Sequence, residues 1–185
     1  MIIKELFTMI ETERLILREW KISDIDDMVE GLNDFDTAKN LTVPFPYKKE
    51  HAESFIKKHI KNDENNYYFA IVLKSTNKVI GGTSLEIKKD IGKNKGGIWL
   101  NKNYHHQGYG TEVWIARAKF AFNILNLKEL ENGFFEHNNI SWKMQQKLGY
   151  KIVGKTTNYC PALNSEVVEI VTNLTKEDFL CFDKK

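Results

Sequence analysis

The amino-acid sequence predicts one mixed α+β domain built in three layers. Its length of 185 residues fits a single domain, since domains usually run to about 100 to 200 residues. With 42% hydrophobic and 12% aromatic residues, the chain has the composition of a globular protein, which excludes intrinsic disorder. Strands come first along the chain, and a strand-helix-strand-helix-strand series follows without internal repeats. We expect residues 9–185 to form the domain, and residues 1–8 to be a short extension or the product of an upstream start codon.

The first two elements are a strand and a helix. Apolar and polar residues alternate over residues 12–18, with both leucines on one face, as expected for a strand with one buried face. Ser23, followed by Asp26, resembles a capping box, because both side chains can accept hydrogen bonds from the free N–H groups of a first helical turn. We therefore predict a helix from Ser23 to about Asn33.

A proline-stiffened loop, Val43-Pro44-Phe45-Pro46-Tyr47, comes next. Its aromatic and apolar side chains either line a pocket or pack on the core, and the sequence leaves both interpretations open. The helical spacing of Ala52, Phe55, Ile56 and Ile60 predicts a second helix after the loop.

Alternation, turn residues and helical stripes predict the remaining elements. They are strands at 67–73 and 79–87 joined by a hairpin turn, a polar stretch at 88–95, a short strand at 97–101, a helix from 110 to about 125, a strand at 130–135, a helix at 141–148 closed by Gly149, and strands at 150–155 and 165–172.

Charge and cysteine content exclude several classes of protein. Lys and Arg number 27 against 25 Asp and Glu, and the net charge of +2 does not suit a protein that mainly grips nucleic acid. The two cysteines, Cys160 and Cys181, are too few for a disulfide scaffold and lack the spacing of a zinc or redox site. No apolar run approaches the ~20 residues that span a bilayer, and the first residues do not resemble a secretory signal. We expect a protein of the reducing cytoplasm with neither nucleic acid nor membrane as partner.

The most informative segment lies between a strand and a helix and reads His105-His106-Gln107-Gly108-Tyr109-Gly110-Thr111-Glu112. Gly108 and Gly110 let the backbone approach a ligand, and the free N–H groups and dipole of the helix start attract an anion. This arrangement is typical of phosphate binding, although glycine turns also join strands to helices for geometric reasons alone. The full dinucleotide pattern is missing, because Val113 stands three residues beyond Gly110, and no P-loop G-K-[ST] follows.

A second informative segment runs from Asn138 to Tyr150. A strand ends in an Asn-rich turn, a short helix begins near Ser141, and Gly149 returns the chain to a strand. Taken alone, the Asn and Ser of this segment are helix caps.

Together the two segments resemble the GCN5-related N-acetyltransferase (GNAT) family, and within it the branch that acetylates ribosomal-protein N-termini. The resemblance covers nearly the whole chain from Met9 onward. Residues 12–18 are similar to the opening strand of that branch, Phe45-Pro46-Tyr47 to its substrate-side loop and Ile80-Gly81-Gly82 to its third strand. Residues 105–110 match the Q/R-x-x-G-x-G/A loop for the acetyl-CoA pyrophosphate, and residues 138–141 and 147–150 match the closing N-x-x-S and E-K-x-G-F elements.

The resemblance implies a fold, a donor substrate and a set of binding residues. The implied fold is a three-layer α/β/α domain with a mixed, mostly antiparallel sheet, splayed between its fourth and fifth strands to admit the pantetheine arm of acetyl-CoA. The implied acetyl-CoA contacts are the backbone of Trp99 and Leu100, the loop residues His105, His106, Gln107, Gly108, Tyr109, Gly110 and Thr111, and also Asn138 and Lys147.

Two positions depart from the family pattern. His105 replaces the usual Gln or Arg, which leaves the backbone amides intact. Gln145 stands where many relatives carry a tyrosine that protonates the departing thiolate, so that role does not carry over. Another proton source is needed.

Acetyl transfer to an amine requires a base for the amine and stabilisation or protonation of the thiolate. Glu86, near the end of the third strand, is our first candidate for the base, and its alternative is a solvent-facing strand residue. Ser141 is the candidate proton donor, with an ordinary helix cap as its alternative. Phe45 and Tyr47 are candidates for the wall of the amine site. We expect no metal, since adjacent histidines rarely converge on one ion and no carboxylate set completes a shell.

These features predict an acetyl-CoA-dependent N-acetyltransferase, monomeric or homodimeric, that acts by direct attack in a ternary complex. The acceptor is a peptide N-terminus or a small-molecule amine such as a polyamine, an amino acid or an aminoglycoside, and the near-neutral charge argues weakly against a strongly cationic one. The alternative is a CoA-binding sensor or interaction domain with the same fold and no turnover. The missing tyrosine at position 145 favours that alternative, and the retained Gly108, Gly110, Asn138 and Ser141 oppose it.

Overall fold

The computed structural model describes residues 9–88 and 93–183. Residues 1–8, expected to be an extension, and the middle of the predicted polar stretch at 88–95 lie outside the described residues. The strands are β1 (Met9–Glu11), β2 (Leu15–Glu19), β3 (Asn66–Leu73), β4 (Lys78–Lys88), β5 (Lys93–Lys95), β6 (Ile98–Leu100), β7 (Glu129–Phe135), β8 (Lys151–Cys160) and β9 (Ser165–Thr175). The helices are α1 (Ile25–Leu32), α2 (Phe35–Ala38), α3 (Lys49–Lys58), α4 (Tyr109–Lys119), α5 (Asn139–Leu148) and α6 (Lys176–Asp183).

All nine strands form one sheet in the order β1-β2-β3-β4-β5-β7-β9-β8, and β6 pairs with β4 beyond β5. Neighbouring strands are antiparallel except for β5 and β7, which are parallel. The predicted mixed, mostly antiparallel sheet is therefore confirmed.

The sheet splits between β6 and β7. β5 and β6 both pair with β4, and Gly96 and Gly97 interrupt them. A Cβ atom at Gly96 would lie 2.2 Å from the Ser84 carbonyl oxygen, so only glycine allows the chain to pass there. β5 pairs with β7 at Lys95 opposite Glu131, whereas β6 pairs with β4 alone in the part of the chain that the structure describes. The predicted splay is confirmed, since β6 is the predicted fourth strand and β7 the fifth.

Helices cover both faces of the sheet and bury two apolar clusters. On one face α1 and α3 pack over side chains of β3 and β4, and this cluster includes Trp20, Met28, Leu32, Tyr47, Ala52, Ile56, Ala70, Val72 and Val79. On the other face α4 and α6 cover a larger cluster that includes Leu15, Leu17, Phe69, Ile71, Leu85, Trp114, Phe120, Leu130 and Phe179. The predicted three-layer architecture is confirmed.

The predicted start of the first strand is wrong. Residues 12–14 form a turn, in which the Thr12 N–H donates to the Leu15 carbonyl oxygen at 3.0 Å, and β2 begins at Leu15. The alternation was nevertheless informative, because Leu15 and Leu17 are fully buried.

The predicted capping box at Ser23 is also wrong. Asp24 takes that place, because its carboxylate accepts from the Lys21 N–H at 2.8 Å and from the Arg18 guanidinium at 2.7 Å. A short 3-10 turn therefore precedes α1, which starts at Ile25.

Several other boundaries differ from the prediction. α3 ends at Lys58, and Ile60 is exposed beyond it rather than part of its apolar stripe. α4 continues through a wider π-helical turn at Phe120–Ile124, which agrees with the predicted end near residue 125. The sequence analysis missed β1, β5, α2 and α6, each of which is short.

Candidate active site

A cleft opens where β6 leaves β7. Its volume is about 1210 Å³, and its walls come from both faces of the sheet. On one side lie the start of α4 and the exposed edge of α5, and on the other lie α1, the loop at 39–43 and the ends of β3 and β4. A molecule that enters from one face of the sheet can therefore meet a second molecule from the other face.

The glycine loop forms the entrance on the α4 side. Gly108 is the residue before the helix, and its φ of 83° lies in the left-handed region, which glycine adopts without strain. The first N–H groups of an α-helix have no intrahelical carbonyl partner, and His106, Gly108, Gly110 and Thr111 line the cleft at this point. These N–H groups are suited to an anion, and anion binding by this loop stays a prediction.

An ion pair between Arg14 and Glu112 holds this loop in place. The Arg14 Nη2 and Glu112 Oε2 atoms are 2.7 Å apart, and Glu112 also accepts from the Thr12 hydroxyl at 2.6 Å and from the Arg14 N–H at 2.9 Å. Arg14 Nη1 donates to the Gln107 carbonyl oxygen at 2.9 Å, and the guanidinium lies 4.4 Å from the centre of the Tyr109 ring. Burial raises the pKa of Glu112, but the hydrogen bonds from Thr12 and Arg14 and the Arg14 charge outweigh it and lower that pKa below its usual value. The turn at 12–14 therefore anchors the glycine loop.

Two predicted residues of the loop, Gln107 and Tyr109, do not line the cleft, whereas His105 does. The Gln107 side chain donates to the Asn103 carbonyl oxygen at 3.0 Å, and the Tyr109 ring lies under Arg14. The His105 ring nitrogen Nε2 is 2.9 Å from the Leu100 carbonyl oxygen, so His105 ties the loop to the end of β6. All three side chains thus make contacts that support the loop.

Two lysines of α5 make the entrance positive. Lys143 and Lys147 are one turn apart on the exposed face of α5, and both line the cleft. Neither forms an ion pair with a carboxylate among the side chains that the structure describes. Together with the start of α4 they form a surface suited to a multiply charged anion.

At Gly110 the start of α4 comes close to α5 and to the end of β6. A Cβ atom there would be 3.2 Å from Met144 Sδ and 3.6 Å from Leu100 Cδ1. Glycine at this position therefore leaves room between α5 and the end of β6. Leu100 and Trp99 both line the cleft, as expected for residues beside a donor arm.

Trp99 also shapes the opposite wall of the cleft. Cβ atoms built at Gly31 and Gly82 would come within 2.5 Å and 2.7 Å of its indole ring, so two glycines make room for that ring. Trp99 thus contributes its backbone to β6 and its side chain to the wall on the α1 side.

Asn138 is a helix cap that keeps one polar group free. Its Oδ1 atom accepts from the Ser141 N–H at 3.1 Å, which is the structural role that the sequence left open. Its side-chain nitrogen Nδ2 has no hydrogen-bond partner among residues 9–88 and 93–183. Asn138 also lines the cleft. Asn138 can therefore cap α5 and donate to a ligand at the same time.

A chain of hydrogen bonds leads from β9 to Ser141. The Thr172 hydroxyl donates to Gln145 Oε1 at 2.6 Å, and Gln145 Nε2 donates to the Ser141 hydroxyl oxygen at 3.0 Å. Gln145 is fully buried and does not line the cleft, whereas Ser141 does. Because the Ser141 oxygen accepts from Gln145, its own proton stays available for donation into the cleft.

Glu86 lies on the other face of the sheet. It lines the cleft, and its Oε1 atom accepts from the Tyr68 hydroxyl at 2.9 Å. The Tyr68 ring stacks on His59 with centroids 3.9 Å apart. Burial raises the pKa of Tyr68 well above its usual value, with a further contribution from Glu86, and burial lowers the pKa of His59. Glu86 is half-buried and hydrogen-bonded, so it is not a fully solvated strand residue.

The two candidates from the proline loop, Phe45 and Tyr47, lie in different surroundings. Tyr47 is buried and lines the cleft, but Phe45 does not line it and packs edge-on against Phe35, with ring centroids 5.8 Å apart. The placement of Phe45 in the amine wall is wrong, because that ring turns toward α2. Leu41 and Val43 line the cleft instead.

The sequence analysis missed Arg14, the Gln145 hydrogen-bond chain and a second carboxylate, Glu169. Glu169 lies over Gly133 on the α1 side of the sheet, and its carboxylate is 3.6 Å from Lys95 Nζ. These residues become neighbours only through the pairing of distant strands. No local pattern marks Glu169, because β9 carries only two acidic residues, Glu166 and Glu169, three positions apart.

The described residues offer neither a metal-binding cluster nor a membrane-spanning helix. Within the described ranges, no group of three or more His, Cys, Asp or Glu side chains could hold a metal ion. Among the same residues, no helix is both long and apolar enough to cross a bilayer.

Known proteins share this sequence pattern and this fold. Residues 14–151 match the family model described as an acetyltransferase (GNAT) domain. The chain is 24% identical over 173 residues to the Bacillus licheniformis protein named uncharacterized N-acetyltransferase p20, covering 91% of this chain and 96% of that protein.

Solved structures agree in fold. A GNAT-family acetyltransferase from Bacillus anthracis superposes with a TM-score of 0.78 at 22% identity, over 91% of this chain and 99% of the other. The microcin C7 self-immunity acetyltransferase MccE, solved in complex with acetyl-CoA and AMP, superposes with a TM-score of 0.76 at 15% identity, over 89% of this chain and 93% of the other. At these identities the structural likeness shows the fold alone.

Proposed function

The chain belongs to the GNAT family of acetyltransferases, and on that premise we propose that it moves an acetyl group from acetyl-CoA to a primary amine by direct attack in a ternary complex. The observation that carries this proposal is the cleft at the gap between β6 and β7, which is open to both faces of the sheet. The start of α4, which is suited to an anion, lies on one face of that gap. The carboxylate of Glu86 lies on the other face. Donor and acceptor can therefore be bound together from opposite sides.

The residues on the α4 side fit acetyl-CoA. The N–H groups at the start of α4 and the ammonium groups of Lys143 and Lys147 suit its phosphates, and the space beside Gly110 suits a thin arm. The backbone of Trp99 and Leu100 and the free amide of Asn138 lie along the path from that entrance to the gap. When bound, acetyl-CoA supplies a thioester whose C–S bond breaks as the amine forms an N–C bond.

Glu86 is the proposed acceptor of the proton that the amine loses. Its Oε1 atom is held by Tyr68, and its Oε2 atom has no hydrogen-bond partner in the described part of the chain. Lys95, which stands opposite Glu86 in the β4–β5 pairing, is also the last residue before the gap opens. Glu86 is therefore close to the region where an amine from the α1 side would reach the gap.

Ser141 is the proposed donor of the proton that the CoA sulfur gains. Its hydroxyl faces the cleft and keeps its proton free, because Gln145 donates to its oxygen. This role replaces the tyrosine that many relatives carry at the position of Gln145.

Location and assembly are also proposals. Both cysteines are free thiols, Cys160 buried and Cys181 exposed, which supports a reducing compartment such as the cytoplasm. We propose that the protein acts without a metal and is a monomer or a homodimer.

Initial-rate kinetics with acetyl-CoA and an amine test the proposed function. Intersecting double-reciprocal lines, with release of one CoA thiol per acetylated amine, are the expected result. Parallel lines would indicate an acetylated enzyme instead of a ternary complex. Tight CoA binding without any acetyl transfer would favour the sensor alternative.

A further inference from the structure

We propose that the acceptor is a primary amine with a single ammonium group on an apolar, preferably aromatic, body. This inference rests on the proposed function, and it narrows the acceptor class from the lining of the cleft on the α1 side. Amines with several charges, such as polyamines and aminoglycosides, are then poor acceptors.

The wall on the α1 side contains a set of aromatic and aliphatic side chains, beside polar residues of α2 and of the loop at 39–43. The apolar set is Trp20, Met28, Leu32, Leu41, Val43, Tyr47, Phe55, Tyr68 and Trp99. The polar residues are Asp36, Thr37, Lys39, Asn40 and Thr42. Ligand sites lined mainly by aromatic and aliphatic side chains bind ligands that bury apolar surface. A polar acceptor would lose its hydration there without replacing its hydrogen bonds.

The two tyrosine hydroxyl groups of the apolar set are already used. The Tyr47 hydroxyl contacts Met28 Sδ at 3.5 Å, and burial raises the pKa of Tyr47 to about 12. The Tyr68 hydroxyl donates to Glu86. The apolar set therefore presents rings and methyl groups to the acceptor, and Glu86 is the polar group at its end.

The rings form a continuous surface that leads to Glu86. Trp20 meets Phe55 edge-on with centroids 6.1 Å apart, and Phe55 meets Tyr68 edge-on with centroids 5.9 Å apart. Aromatic rings favour both other rings and ammonium groups at such distances. An aromatic amine would satisfy both preferences, with its ring on the wall and its ammonium at Glu86.

The charges around the cleft accommodate one ammonium group. Asp36 pairs with Lys39 at 2.5 Å, and Glu169 with Lys95 at 3.6 Å. Glu86 has no ion-pair partner among the side chains that the structure describes. A second ammonium on the acceptor would therefore meet paired carboxylates and the lysines beside them.

A panel of four acceptors tests the proposal. It also distinguishes a small-molecule amine from a peptide N-terminus as the acceptor. The small-molecule arm is 2-phenylethylamine and the peptide arm is a dipeptide amide that begins with phenylalanine, and spermidine and kanamycin supply the multiply charged arm. We expect kcat/KM for at least one aromatic acceptor to exceed that for spermidine and kanamycin by about tenfold or more. Equal or higher kcat/KM for spermidine or kanamycin would overturn the proposal.

A charge placed in the apolar wall gives a second test. Val43 lies on a loop, and Val43→Asp should lower kcat/KM for the preferred aromatic amine about tenfold or more and narrow its advantage over spermidine. The matched control is Val153→Asp on β8, where the side chain is 59% exposed and outside the cleft, and the preference should not change. An unchanged preference in Val43→Asp would contradict the proposed wall.

Binding is measured separately from turnover. Trp20 and Trp99 both lie in the wall, so quenching of tryptophan fluorescence in the presence of CoA reports acceptor binding. If no amine on the panel is acetylated, the proposed function fails. Tighter binding of 2-phenylethylamine than of spermidine would still support the inference about the wall, and the reverse order would overturn it.

Discussion

Gln145 donates a hydrogen bond to the Ser141 hydroxyl oxygen, with 3.0 Å between Nε2 and Oγ. The other end of the same amide accepts from Thr172 at 2.6 Å, which fixes the orientation of the Gln145 side chain. A buried glutamine thus stands at the position of the tyrosine that many relatives use as an acid, and it orients a serine one helical turn away. In the proposed mechanism Ser141, on the same helix, supplies the proton in place of that tyrosine.

Replacing Ser141 and Gln145 tests that relationship. Ser141→Ala should lower kcat by a factor within the roughly 10² to 10⁴ that a positioned acid contributes, with little change in the KM for acetyl-CoA. Gln145→Met keeps the buried volume, and the Thr172 hydroxyl can still donate to the Asn132 carbonyl oxygen at 3.2 Å. We expect Gln145→Met to lower kcat less than Ser141→Ala does. In the double variant kcat should equal that of Ser141→Ala. If the kcat losses of the two single variants multiply in the double variant, Gln145 does not act through Ser141.

Glu86→Gln tests the proton acceptor. The variant keeps the side-chain shape and can still accept from Tyr68, but it cannot take a proton from the amine. We expect kcat to fall by about 10² or more at neutral pH and to recover partly at high pH, where more of the amine is already uncharged. A kcat equal to that of the unchanged enzyme across the whole pH range would remove Glu86 from this role.

Substitutions of the two loop glycines should weaken CoA binding for different reasons. Gly110→Val would fill the space beside Met144 and Leu100, and we expect the Kd for CoA to rise by about tenfold or more. Gly108→Ala would strain a residue with positive φ and place a Cβ atom 3.2 Å from Arg14 Nη2. This substitution therefore disturbs the Arg14 contacts that hold the loop, rather than the place where an anion would bind. Gly154→Ala is the control, because a Cβ atom there meets nothing within 4 Å. Calorimetry that finds the same CoA affinity in Gly110→Val and Gly154→Ala would place the arm elsewhere.

The Arg14 and Glu112 ion pair should make stability depend on pH. The pKa of Glu112 is lower in the folded state than its unfolded value of about 4.3, so its contribution is complete above that pH. The contribution is lost as the pH falls through the lower folded-state pKa. Glu112→Gln should therefore lower Tm by about 2–4 °C at pH 7, and the difference from the unchanged protein should shrink in acid. Thermal denaturation curves with a constant Tm difference at all pH values would refute this account.

The sequence predicted the features that depend on local pattern. It did not predict the features that depend on contacts between distant parts of the chain. Alternation identified the buried face of β2, a continuous apolar run identified β3, and two glycines identified the loop at the start of α4. The turn at 12–14 was missed because Glu112, almost a hundred residues away, holds it. Phe45 was misplaced because its ring packs on Phe35 of a four-residue helix, which is too short to produce a periodic pattern. The link from Thr172 through Gln145 to Ser141 depends on β9 lying beneath α5, which no local pattern encodes.

Mass spectrometry of the products with isotopically labelled acetyl-CoA tests the central claim most directly. Acetyl-CoA carrying a labelled acetyl group is incubated with the protein and a primary amine, and the free CoA thiol is counted in the same sample. The account predicts a labelled N-acetyl amine in a one-to-one ratio with released thiol, and loss of both in Gly110→Val. Thiol release without a labelled amine, or full CoA binding with no product for any amine, would contradict it.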